Sequence, residues 1–128
     1  MVTIECVTAE QARVLMTELV SLLQDAVDSG ASVGFLLPLA AESARDYWQK
    51  TIDDIAHGTC LLLVARQGGG VVGTVQLALA TQPNAAHRAE VQKLMVHTRV
   101  RRQGIGQALM TAVDYAKRTL DEHTLGLA

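Results

Sequence analysis

Aromatic side chains are scarce in this chain: one Trp, one Phe and two Tyr among 128 residues. Proteins that hold single-stranded nucleic acid stack bases on aromatic rings and track the backbone with positive charge. With a net charge of −2 the chain offers neither, so no nucleic-acid partner is expected. Cysteine is also sparse. Cys6 and Cys60 each lie in an apolar, strand-like run without a second cysteine nearby, which reads as two buried free thiols in a reducing compartment. No apolar run approaches the roughly 18–20 residues that span a bilayer, and no charged-then-apolar leader opens the chain. The expectation is a cytoplasmic protein with no membrane partner. His57, His97 and His123 show no ligand spacing, so no metal is expected, and nothing beyond composition suggests a Ser-His-acid triad.

What is present is ample apolar content, 49%, in a length suited to a single domain over residues 1–128. Positive charge is concentrated locally. His87, Arg88, Lys93, Arg99, Arg101 and Arg102 fall within one short stretch. Such a patch beside a glycine turn suits a small anionic ligand better than a polynucleotide.

Residues 2–7 read as a strand. Thr8 with Gln11 three residues later fits a capping box, and Leu15, Leu19, Leu22, Leu23 and Ala26 continue a helix that Gly30 stops. A second helix is expected over about 39–57, with Ala44, Trp48, Ile52 and Ile55 on one stripe. Strands over 59–66 and 71–80 are joined by Gln67-Gly68-Gly69-Gly70, which reads as a hairpin turn; no Lys-Ser/Thr pair or helix start follows, as a phosphate loop would require. After a polar connection over 81–88 comes a strand over 89–96, then a helix from Gly104 to about Leu120. A turn at 121–123 and the start of a fifth strand over 124–128 complete the order β-α-α-β-β-β-α-β. Hairpin-linked strands with helices at both ends indicate an α+β domain with a mixed, mostly antiparallel sheet.

The most informative segment is Arg101-Arg102-Gln103-Gly104-Ile105-Gly106, between the strand 89–96 and an amphipathic helix. The unpaired amides of a helix's first turn point outward, and the helix dipole places roughly half a positive charge there. Gly104 and Gly106 remove the Cβ atoms that would keep an anion from the backbone. The loop therefore reads as a cradle for a phosphate-bearing ligand.

On these residues the chain resembles the GCN5-related N-acetyltransferases. Their central motif, Arg/Gln-x-x-Gly-x-Gly/Ala after a strand, stands here as Arg101-x-x-Gly104-x-Gly106, and the order of elements is also similar. Within the family, Gly-Ala-Ser-Val-Gly-Phe at 30–35 and Arg-Ala-Glu-Val-Gln-Lys-Leu-Met-Val at 88–96 are similar to the tabtoxin-resistance acetyltransferases. The resemblance implies acetyl-CoA as co-substrate and a small primary amine as acceptor. The backbone of Leu94, Met95 and Val96 would pair with the pantetheine arm. The amides of Arg102, Gln103, Gly104, Ile105, Gly106 and Gln107 would hold the pyrophosphate. Arg101 takes the leading motif position, and Arg102 could add a charge-assisted contact.

Acetyl transfer needs a neutral amine, while a free alkylammonium is almost fully protonated at neutral pH. Glu90 is the candidate base, in an otherwise apolar strand just before the arm-binding backbone. It could equally bind the ammonium without taking its proton, or pair with Arg88, Lys93 or His87. Asn84 and His87 would line the acceptor side, with Ser32 and Phe35 as the opposite wall by resemblance. Tyr47 is expected to pack in a core, and Tyr115 lies too far along its helix to protonate a departing thiolate.

The family pattern runs on past residue 128, so the chain reads as a fold truncated after the start of its fifth strand. An apolar stub at 124–128 would leave an open sheet edge, suited to a homodimer. Besides a working N-acetyltransferase, an acetyl-CoA-binding remnant assembling through that edge is therefore an alternative reading.

Overall fold

The computed structural model describes residues 2–29, 39–79 and 89–127, with the side chains at 89–90 and 119–127 outside that description. Strand β1 (Val2–Val7) leads into α1 (Ala9–Val14) and α2 (Met16–Asp28), followed by α3 (Ala41–Ala56). Strands β2 (Cys60–Gln67), β3 (Gly70–Leu79) and β4 (Ala89–Val96) come next. A 3₁₀ turn (Thr98–Val100) then precedes α4 (Ile105–Leu127). The four strands form one antiparallel sheet in the order β1-β2-β3-β4.

Local chemistry explains several of these boundaries. Thr8 accepts the amide of Gln11 at 3.1 Å while Gln11 accepts the amide of Thr8 at 2.8 Å, the reciprocal cap that starts α1. The β2–β3 hairpin turns on Gly68 (φ 59) and Gly69 (φ 83), and two adjacent positive φ values are what a two-residue loop of matching twist requires. Strand β3 is buried over seven consecutive residues, because helices cover both faces of the sheet.

On one face α1, α2 and α3 enclose Leu19, Leu22, Trp48 and Ile52 against Leu62, Val64 and Met95. Trp48 is fully buried and its indole donates to the carbonyl of Leu19 at 2.7 Å, tying α3 to α2. The Glu18 carboxylate on α2 accepts the amide of Val71 at 2.8 Å and fixes that helix over β3. On the other face Ile105, Leu109 and Val113 of α4 pack on Leu63, Val72, Val75 and Leu77. Gly73 makes this packing possible: a Cβ there would sit 3.1 Å from Leu109, 3.1 Å from the carbonyl oxygen of Met95 and 3.3 Å from Ile105.

Three expectations are corrected. The first helix is divided at Leu15, whose amide donates to the carbonyls of both Gln11 and Ala12; the bend carries Leu15 into the core between Ala12 and Leu19. Residues 121–127 continue α4, so neither the turn at 121–123 nor the start of a fifth strand forms. A helix satisfies its backbone locally, whereas a strand needs a neighbour, and no Gly or Pro between 107 and 125 interrupts the helix. The open edge beside the candidate site is therefore that of β4 itself. Finally, only Cys60 is buried; Cys6, on edge strand β1, is exposed. Among the described residues no helix is long and apolar enough to cross a membrane.

Candidate active site

Strand β4 is hydrogen-bonded to β3 on one side, and among the described residues its other side has no strand partner. Its register slips midway. Gln92 faces Gln76 and Met95 faces Thr74, so Lys93 and Leu94 together oppose Val75. Two residues against one is a β-bulge, and Lys93 makes it by adopting φ 56. A left-handed non-glycine residue costs about 1–2 kcal/mol and persists only where surrounding packing fixes it. Buried Met95 supplies that anchor on the α2 side, leaving Leu94 45% exposed.

The chain leaves β4 with the amide of His97 donating to the carbonyl of Val72 at 2.8 Å. Val100 (6% exposed) and Ile105 (2% exposed) are buried on the α4 face, and between them residues 101–104 are exposed. Arg102 (φ 69) and Gly104 (φ 78) both turn left-handed and reverse the chain into α4. The amide of Ala108 donates to the carbonyl of Gly104 at 2.9 Å, so the helix ladder begins there and the preceding first-turn amides have no helical acceptor. Nothing lies within 4 Å of where a Cβ on Gly104 would sit, whereas one on Gly106 would touch Val96 at 3.7 Å. The outer side of the loop is therefore open where an anion would approach.

Leu94, Met95, Val96 and the residues from Arg101 to Gln107 thus lie along one continuous path, at the end of β4 and the start of α4. Their side chains divide the work differently from the sequence reading. Arg101 points back: its Nε donates to the carbonyl of Val96 at 3.4 Å and its guanidinium to the hydroxyl of Ser29 at 3.0 Å. Arg102, the neighbouring cation of the loop, is exposed. Gln103 accepts from Gln67 at 3.4 Å, joining the loop to the β2–β3 hairpin.

Glu90 is placed by backbone register alone, opposite Ala78 and two residues before the Gln92–Gln76 pair. Ser32, Phe35, Asn84 and His87 lie outside the described residues. Near the same row, on the α3 side, the Tyr47 hydroxyl accepts from Gln76 at 3.0 Å and its ring meets Trp48 edge-on at 5.0 Å. The Lys93 ammonium lies 5.6 Å from the centre of the Tyr47 ring. Burial raises the Tyr47 pKa above its ordinary value, with the Gln76 hydrogen bond opposing part of that rise. Tyr47 packs against the core, as expected, but its polar end belongs to this neighbourhood.

The sequence reading missed Asp25, in the last turn of α2, and Ser29, which caps that helix; they reach the segment at Thr98 and Arg101. No local signal could reveal them, since Ser29 and Arg101 are 72 residues apart. Among the described residues no cluster of three or more His, Cys, Asp or Glu is placed to hold a metal ion.

Comparison with known proteins identifies the family and the fold. A sequence model of the Acetyltransferase (GNAT) family matches residues 15–127. The PaiA N-acetyltransferase of Thermoplasma acidophilum, solved in complex with coenzyme A, is 17% identical; the match covers 93% of this chain and 73% of that one, with a TM-score of 0.66. A ribosomal-protein-alanine N-acetyltransferase from Brucella melitensis biovar Abortus 2308 is 22% identical over 94% of this chain and 74% of its own, with a TM-score of 0.67. An aminoglycoside acetyltransferase from an uncultured soil sample, in complex with sisomicin, is 21% identical over 92% and 70%, with a TM-score of 0.65. At these identities the structural likeness establishes the fold.

Proposed function

We propose a function from the premise that this chain belongs to the acetyltransferase (GNAT) family: it transfers an acetyl group from acetyl-CoA to the primary amine of a small molecule. The observation that carries this is the bulged edge of β4 leading, through the 3₁₀ turn at Thr98–Val100, into a left-handed glycine turn at the start of α4. An extended arm with amide groups can pair with the free edge at Leu94, Met95 and Val96. The pyrophosphate that follows it would meet the amides of residues 102–107, with Arg102 supplying charge.

In the reaction the amine nitrogen attacks the thioester carbonyl carbon, the carbon–sulfur bond breaks, and the thiolate departs to be protonated. Glu90 is the proposed acceptor of the proton that nitrogen loses, directly or through one water. Ser32, Phe35, Asn84 and His87 are the proposed acceptor-side residues. The similarity of residues 30–35 and 88–96 to the tabtoxin-resistance type favours an amine of amino-acid-like character. A supply of acetyl-CoA and two free thiols suit the cytoplasm.

Calorimetry with acetyl-CoA and a thiol-release assay across a panel of small amines test the reading. Binding together with amine-dependent thiol release is expected, and no binding at high micromolar acetyl-CoA would reject it. A second copy pairing along β4 would compete with the arm, so native mass with and without acetyl-CoA reads assembly and binding together.

A further inference from the structure

We infer that Asp25 is a positioning residue for the acetyl-CoA site, holding the turn that sets the phosphate loop. The site itself rests on the function proposed above. Asp25 lies in the last turn of α2 and reaches across 73 residues of sequence. Its Oδ2 accepts the amide of Thr98 at 2.9 Å and its Oδ1 accepts the Thr98 hydroxyl at 2.7 Å. The same Oδ1 lies 3.7 Å from His97 Nε2, with both side chains largely shielded (20% and 23% exposed). The carboxylate therefore caps the 3₁₀ turn at the residue where the chain departs from β4.

A second contact works beside it. Ser29, four residues on and so on the same side of the helix, accepts from Arg101 at 3.0 Å while donating to the carbonyl of Ala26 at 3.0 Å. Thr98 and Arg101 bracket the 3₁₀ turn, and the amide of Arg101 donates to the carbonyl of Thr98 at 3.4 Å. Two points of α2 thus grip two points of the segment that leads into the left-handed residues Arg102 and Gly104.

The location of Asp25 also runs against helix electrostatics. A carboxylate in a final turn faces the negative end of the helix dipole, and α2 has no basic residue there to offset it. Its compensation comes from the Thr98 amide and hydroxyl instead. Without the carboxylate, the exposed loop would sample more conformations, and binding would have to order it. The predicted consequence is selective: weaker coenzyme A binding, with the acceptor amine's KM unchanged.

The test compares wild type with Asp25→Ala, Asp25→Asn and Thr98→Val, using coenzyme A as the probe in calorimetry and amide hydrogen exchange on the free protein. Asp25→Ala removes both Thr98 hydrogen bonds and is expected to weaken coenzyme A about tenfold, a part of what those bonds are worth to the turn. Exchange should rise by a similar factor over residues 98–104, with the β2–β3 amides unaffected. Asp25→Asn, which keeps one acceptor oxygen, should recover part of both effects. If Asp25→Ala does not fold, Thr98→Val removes the 2.7 Å bond alone and should shift exchange over 98–104 in the same direction. Unchanged exchange there, or undiminished coenzyme A affinity in a well-folded Asp25→Ala, overturns the inference. Wild type that fails to bind coenzyme A rejects the proposed function instead, and the exchange comparison still decides whether Asp25 holds the turn.

Discussion

Replacing each glycine of the Arg-x-x-Gly-x-Gly motif by alanine should push stability in opposite directions. Gly104 adopts φ 78 with open space around it, so a Cβ there meets no neighbour and the cost is backbone strain alone. That strain is about 1–2 kcal/mol, offset by ~0.4–1 kcal/mol because alanine restricts the unfolded chain. Gly106 lies in the first turn of α4, and its new Cβ would make an ordinary contact with Val96 at 3.7 Å. There alanine should gain about 0.5–1 kcal/mol, the usual difference between the two residues in a helix. The two variants should therefore separate by about 0.5–2.5 kcal/mol, up to several degrees in Tm for a domain of this size. Equilibrium urea unfolding with matched slopes measures the separation. Calorimetry with acetyl-CoA should show a larger affinity loss for Gly104→Ala than for Gly106→Ala. A Gly104→Ala at least as stable as Gly106→Ala, or both variants stabilised, would refute the strain argument.

Gly73→Ala should lower stability by about 1–2 kcal/mol in urea unfolding, because its Cβ would crowd the backbone carbonyl of Met95 and two α4 side chains at 3.1–3.3 Å; an equally stable variant would show that α4 can recede freely. The Cys60 thiol is pushed up to about 11 by burial first, then by the Asp54 and Cys6 charges. Since its folded pKa is raised, that group's contribution to stability is present below about pH 9 and is lost as pH rises toward 11. At pH 8 iodoacetamide should modify exposed Cys6 well before Cys60, with mass spectrometry as the readout, and equal rates would contradict the burial of Cys60. Glu90→Gln should depress kcat most strongly near neutral pH, where unassisted amine is scarcest, by roughly 10²-fold or more. A full rate across the pH profile would leave Glu90 without a role as base.

The sequence determined whatever depends on neighbours along the chain. The Thr8–Gln11 cap, the glycine turn between β2 and β3 and the glycine turn entering α4 all rest on contacts within a few residues, and each was legible. So was the family, because its motif is contiguous. Tertiary structure decided the rest. The division at Leu15 depends on what that side chain packs against, and the exposure of Cys6 on whether its strand is an edge. The end of α4 was misread because apolar residues at 124–127 fit a strand pattern while helix hydrogen bonding needed no partner to continue through them. The bulge at Lys93 belongs to the pairing with β3, since one residue of slip is invisible until the opposite strand is in place. Arg101 shows the division most plainly. Its place in the motif was readable, but not that its guanidinium turns to Ser29. Only folding brings the end of α2 to that loop, because the free energy of such contacts depends on proximity in space rather than along the chain.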